Sequence, residues 1–197
     1  MLGGAGEFPS PEITGSVPAQ ALASGPAFPT QNNQRLFDAL IHGARRRVVL
    51  TTPYFIPDEP LLQAVQTAAI RGVSVHLVVS EVGDHPVVSL AQESYYEELL
   101  EAGVQVHLYR TNFLHAKHLS IDDSVAMIGT SNLDIRSFAL NAEVMLLIYD
   151  RDVTTRLIVE QERYFADSRL LTLDEWRQRS FGTRLAQHLM RLLSPLL

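Results

Sequence analysis

Apolar residues recur along this chain with two different periods, and the switching between them outlines a fold. From residue 32, Leu36, Leu40, Ile41 and Ala44 fall on one helical face, and Asn32 or Asn33 can cap the start. Arg45, Arg46 and Arg47 sit at its end, where cations offset the carbonyl dipoles. Residues 48–52 form a short, β-branched apolar run of the kind buried on both faces of a sheet. Pro53 and Pro57 stop it in the loop Thr52-Pro-Tyr-Phe-Ile-Pro-Asp58. Leu61, Leu62, Val65 and Ala69 then mark a helix ending near Gly72, and residues 73–80 a second strand. A third round places a helix over 88–102, a stop at Gly103 and a strand over 104–109.

Strand, helix, strand, helix, strand predicts parallel neighbours in a layered α/β domain. The second half reads differently. Strands over 117–121, 125–128 and 143–149 are joined by short polar segments, so that part of the sheet is expected to be antiparallel. Helices over 154–166 and 183–193 close the chain. The predicted class is α/β, an α/β/α sandwich with a mixed parallel and antiparallel sheet.

The first 34 residues hold five of the ten Pro and five of the eleven Gly, with no Lys or Arg. Residues 1–30 therefore read as an extended leader or linker and 31–197 as one half-domain with C-terminal helices. With 197 residues, 46% hydrophobic, the chain suits a single globular domain. It has no Cys, which rules out disulfides and thiolate metal sites. A net charge of −6 argues against binding nucleic acid by broad phosphate neutralisation. No apolar run approaches the roughly 20 residues a membrane-spanning helix needs, so the chain is expected to be soluble. Of sixteen basic residues, only Lys117 is lysine. A compact ammonium and a planar guanidinium are not interchangeable where one oxygen must be held at one point.

Lys117 also lies in the densest reactive cluster: His115-Ala-Lys117-His118-Leu-Ser-Ile-Asp122, then Gly129-Thr130-Ser131-Asn132, then Glu143. In an extended segment His115 and Lys117 share a face while His118 points away. A nucleophilic imidazole and a cation meeting at one point suit a phosphodiester: Lys117 neutralises a non-bridging oxygen while a His115 ring nitrogen attacks phosphorus. Asp122 and Asp123 sit where the strand must turn, placed to hydrogen-bond the turn or pair with a cation. The turn at Gly129 is expected to return the Thr130 hydroxyl and the Asn132 amide to the strand end as neutral phosphate donors. Glu143 is placed to accept the other ring N–H of His115 and fix its tautomer. That makes half a site. One histidine cannot attack from one side of phosphorus and protonate the leaving group on the other, so a second must come from elsewhere.

His115, Lys117 and Asp122 match the His-x-Lys-x-x-x-x-Asp motif of the phospholipase D superfamily, and Gly129-Thr130-Ser131-Asn132 resembles its Gly-Ser/Thr-x-Asn follower. Thr52-Pro-Tyr-Phe-Ile-Pro-Asp58, Ser94-Tyr-Tyr-Glu-Glu-Leu-Leu and Asn132-Leu-Asp-Ile-Arg-Ser-Phe138 with Asn141 resemble the C-terminal catalytic half of bacterial cardiolipin synthases. That group usually carries two such motifs and N-terminal membrane helices. This chain shows one motif, and reads as a fragment or a stand-alone half. The resemblance implies phosphatidyl transfer from phosphatidylglycerol through a phosphohistidine, with His115, Lys117, Asp122 and Glu143 catalytic and Lys117, Thr130 and Asn132 on the phosphate. It implies no metal and no cofactor. Its partners would be phospholipid, a membrane surface and a second catalytic half, with the longer protein at the inner membrane. The alternative is a homodimeric phosphodiesterase, a phospholipase D or a nuclease, pairing two copies of the motif.

The remaining candidates read as structural. His42, His76, His85, His107 and His188 are expected to be core or surface residues, and Tyr95 and Tyr96 to pack. Tyr54 and Phe55 follow a strand end, where α/β sheets gather ligands. In the last helix Phe181, Leu185, Leu189, Leu192 and Leu193 share a side, with Arg184 and Arg191 on another. Docking of that apolar side on the protein's own sheet is the expected arrangement, and a bilayer surface the alternative.

Overall fold

The computed structural model describes residues 15–28, 30–83 and 85–192. The elements run β1 (Ala19–Ser24), α1 (Asn32–Gly43), β2 (Arg47–Thr51), β3 (Phe55–Ile56), α2 (Glu59–Ile70) and β4 (Ser74–Ser80). Then come α3 (Pro86–Glu93), α4 (Tyr96–Glu101), β5 (Gln105–Tyr109), β6 (His118–Ile121), β7 (Val125–Gly129) and β8 (Leu133–Asp134). The chain continues through α5 (Ile135–Ala139), β9 (Glu143–Ile148), α6 (Arg151–Ala166), β10 (Ser168–Leu170), α7 (Leu173–Arg177) and α8 (Phe181–Leu192). Eight strands form one sheet in the order β1-β9-β7-β6-β2-β4-β5-β10, and β3 pairs with β8 in a small parallel one. β2, β4 and β5 are parallel; β6, β7, β9 and β1 are added antiparallel. The expected mixed sheet is therefore present, with the parallel and antiparallel parts where the connection lengths put them.

Strand alternation divides the core. Val48, Leu50, Leu77, Val106, Leu119, Met127 and Met145 face α1, α2 and α4 in the main apolar layer. The opposite residues meet α6, where Val49, Val78, Ala126 and Ile148 pack with Leu157 and Phe165. This second layer is partly polar. His76 Nδ1 lies 3.0 Å from His107 Nε2, and both rings stack on Phe165. His118 stacks on Tyr164, and its Nδ1 lies 3.2 Å from Gln161 Nε2.

Three parts of the chain depart from expectation. Within the Pro- and Gly-rich leader, Ala19–Ser24 forms edge strand β1, paired with β9 from Ala19↔Ile148 to Ser24↔Glu143. Its small residues carry little strand signal of their own; the ladder to β9 decides. Residues 1–14 lie outside the described residues. The single helix expected over 88–102 is two, α3 and α4, separated at Ser94, whose hydroxyl bonds the Ala91 carbonyl at 2.6 Å. The third departure is α8, which packs chiefly on α3, with Met190 turned to the core. Phe181, Leu185, Leu189 and Leu192 face outward, while Leu193 lies outside the described residues.

Burial pushes His76, His107 and His118 down to about 4, helped by Arg47 at His76 and by His76 at His107. Unfolded histidines titrate near 6.5, so the unfolded chain takes up protons that the native chain refuses. The native advantage is complete above pH 6.5 and shrinks as pH falls toward 4. Urea midpoints should drop across that window, and His107→Phe should flatten the drop. An equally steep drop in the variant would remove His107 from the cause.

Candidate active site

The site is built around the end of the strand pair β6–β7. Lys117 immediately precedes β6, and its carbonyl accepts from Gly129 N at 3.1 Å at the end of β7. Gly129 has to be glycine, because a Cβ there would collide with the Val144 carbonyl and the Met145 backbone. Thr130 extends the pairing: its N–H donates to the Val144 carbonyl, and its hydroxyl oxygen accepts from Val144 N, each at 3.0 Å. Glu143 is thereby brought beside Lys117.

His115 is exposed, and Lys117 is half-buried with Nζ 2.8 Å from the His115 carbonyl oxygen. As expected from alternation, His118 turns the other way, beneath α6. Desolvation holds the Lys117 ammonium below the ordinary lysine value, while the Glu143 and Asp134 carboxylates pull it back up. A ring ladder leads from His115 to Phe113 (centroids 5.8 Å apart) and on to Tyr54 (6.1 Å). Tyr54 in turn lines a cavity of about 370 Å³ with His85, Val88, Asn132, Asp134, Arg136 and Asn141 among its walls. The cavity roof is fixed by Thr52, whose hydroxyl donates to the Tyr54 carbonyl at 2.7 Å and accepts from Leu133 N at 3.3 Å. Gln92 completes the frame, accepting from Phe55 N at 2.8 Å.

Asp122 is not part of this constellation. It lies at the opposite end of β6, about 13 Å of strand away from His118. There Asp122 Oδ1 accepts from Arg46 N at 2.8 Å and Arg47 N at 3.0 Å, and the residue adopts φ 53°. Burial alone would raise its carboxyl; the backbone bonds from Arg47, Arg46 and Arg45 outweigh that and lower it. The motif aspartate thus ties the β6–β7 turn to the entry of β2 and is structural. Other assignments shift too. The Thr130 hydroxyl is engaged with the Val144 backbone and stitches the strands together. No hydrogen bond joins Glu143 to His115 among the described residues; the carboxylate acts on Lys117. Asn132 does reach the cavity, with Nδ2 on Asp134 Oδ2 at 3.1 Å and Oδ1 buried without a partner. Phe55 is wholly buried in the core, as are Tyr95 and Tyr96, whereas Tyr54 lines the cavity.

Asp134 is the residue the sequence reading missed. It is 9% exposed, and its Oδ1 caps α5 by accepting from Ser137 N at 2.7 Å. The Asp134-x-x-Ser137 spacing was the available signal, and it announces a helix cap, not a carboxylate directed at a lysine. Among the described residues, no group of three or more His, Asp or Glu side chains is arranged to hold a metal ion.

Solved structures place this fold. The phospholipase D family member Nuc from Salmonella typhimurium aligns with TM-score 0.67 and 18% identity, over 80% of this chain and 99% of its own. The phosphatidylserine synthase of Haemophilus influenzae Rd KW20 aligns at TM-score 0.72 and 21% identity, over 94% of this chain and 49% of its own. The architecture is that of a phospholipase D-like domain. The family model described as "Cardiolipin synthase, PLD-like domain" matches residues 37–165, and the chain belongs to that family. Cardiolipin synthase A of Proteus mirabilis (strain HI4320) is 41% identical over 178 residues, 90% of this chain and 37% of that protein. Cardiolipin synthase of Clostridium perfringens (strain SM101 / Type A) is 37% identical over 92% of this chain and 38% of its own length. The chain therefore spans a little over a third of these relatives.

If Glu143 supports the ammonium, Glu143→Gln should lower the titration midpoint of Lys117. With one lysine in the chain, ¹³C-lysine labelling gives a single side-chain resonance to follow. An unmoved midpoint would show that the carboxylate does not act on Lys117.

Proposed function

We propose that this chain supplies one half of a phosphatidyl-transfer site that makes cardiolipin from phosphatidylglycerol. The observation that carries the reading is an exposed imidazole beside a single partly desolvated ammonium, within a domain of the cardiolipin synthase family. A desolvated ammonium gains strength toward a phosphate oxygen, because less water screens the attraction.

The exchange has two steps. A ring nitrogen of His115, or of its counterpart in the other half, attacks phosphorus; an N–P bond forms and the P–O bond to the departing glycerol breaks. The opposite histidine gives its proton to that oxygen, and free glycerol leaves. The same histidine, now a base, takes the hydroxyl proton of a second phosphatidylglycerol. The resulting oxygen attacks phosphorus, the N–P bond breaks and cardiolipin is released. Lys117 offsets charge on the non-bridging oxygens throughout. The second histidine comes from another segment: the relatives are far longer than this chain, and the phosphatidylserine synthase chain is about twice the matched length. Pairing with another copy of this chain is the other source, and it would give a phosphodiester hydrolase.

In a protein carrying both halves, His115→Ala should reduce cardiolipin formation by at least about 10²-fold, the scale of a lost acid–base or nucleophilic group. Thin-layer analysis of labelled phosphatidylglycerol products checks this. Normal cardiolipin formation in the variant would defeat the proposal, and cleavage of nucleic acid by the chain alone would favour the hydrolase.

A further inference from the structure

Helix α8 carries a second apolar side that faces away from the domain. Its inner side is mixed: Met190 packs on the core, and Gln187 is buried, its Nε2 donating to Glu93 Oε2 at 2.8 Å and its Oε1 accepting from Arg179. Its outer side is apolar, with Phe181 80%, Leu185 48%, Leu189 50% and Leu192 76% exposed. At 100° per residue these four fall within an arc of roughly 80°, centred nearly opposite Gln187. An apolar stripe turned away from the core gains nothing from folding, so something else covers it.

The covering surface can be argued from charge and position. α8 contains Arg184, His188 and Arg191 and no carboxylate, in a chain whose net charge is −6. All three lie on one flank of the stripe. Arg191 is held by Glu98 at 2.6 Å and lies over the Tyr95 ring, whereas Arg184 and His188 are exposed. The helix packs along α3, whose Val88, with the preceding His85, lines the candidate active-site cavity. A groove of about 750 Å³ runs from Leu189 and Leu192 to Leu62 and Ile135, with Asp58 and Glu59 at its far wall, and Ile135 directly follows Asp134. The stripe therefore borders elements that also carry residues of the candidate-site cavity, Val88 in α3 and Asp134 just before α5.

We propose that α8 lies in the interface of an anionic bilayer, with Phe181, Leu185, Leu189 and Leu192 among the acyl chains and Arg184 and His188 at headgroup level. A site that draws both substrates from a membrane works only where it is held against one, so the inference rests on the lipid reading of that site. Docking itself needs no catalysis, and the two can fail separately.

Flotation of the full chain with vesicles of phosphatidylcholine, alone or mixed with phosphatidylserine, tests it. Phosphatidylserine supplies negative charge without being the proposed substrate. The chain should float with the anionic vesicles, and more salt should weaken the association. Phe181→Ser/Leu185→Ser/Leu192→Ser should reduce it at least about tenfold while leaving the thermal melt unchanged, because these side chains are exposed in the fold. His115→Ala should float like the parent. Absence of flotation, or equal flotation of the triple variant, overturns the proposal and leaves the transfer reading standing. A triple variant that changes only the oligomeric state by size exclusion also overturns it, making the stripe a protein contact.

Discussion

One ammonium, kept half out of water between two carboxylates, is the constraint around which the rest of this domain is arranged. Left alone, desolvation would push Lys117 toward its neutral form. Glu143 and Asp134 counter this, and among the described residues neither forms an ion pair with it. A phosphate arriving there meets a cation that water screens weakly. The Nζ bond to the His115 carbonyl also ties the cation to the backbone of the imidazole proposed as nucleophile.

Holding that arrangement requires both ends of a four-residue strand to be pinned. At one end Gly129 donates to the Lys117 carbonyl and lets β9 approach, and Thr130 locks β9 alongside. At the other, Asp122 gathers the backbone amides of Arg45, Arg46 and Arg47, fastening the turn to β2. The motif thus contains chemistry and carpentry in equal parts: His115 and Lys117 at the mouth, Gly129, Thr130 and Asp122 in the frame. Burial of His76, His107 and His118 under α6 gives the opposite sheet face its own requirement, neutrality, which separates the histidines that fold the domain from the one exposed beside Lys117.

The sheet was legible because its strands are short apolar runs with residues buried on both faces, and such runs have few alternatives. The antiparallel part of the sheet was legible because short polar connections favour antiparallel neighbours. Asp134 escaped because capping and electrostatics use the same carboxylate, and local spacing reports only the cap. β1 escaped because Ala19 to Ala23 has almost no intrinsic strand preference and draws its structure from β9. The hydrogen bonding of Asp122 at the turn was legible from its place at the strand end, whereas its separation from Lys117 was not, because a motif gives order along the chain but not which end of a strand a side chain serves. For α8, periodicity located the apolar stripe; which way it points depends on contacts such as that of Gln187 with Glu93 in α3, which is distant in sequence.

The most direct test of the central claim follows the single lysine resonance of this chain while a short-chain phosphatidylglycerol is added. If Lys117 receives the lipid phosphate, its titration midpoint rises with lipid concentration and saturates, because the bound anion favours the charged amine. A midpoint that stays fixed at lipid concentrations where the chain demonstrably binds would contradict the account.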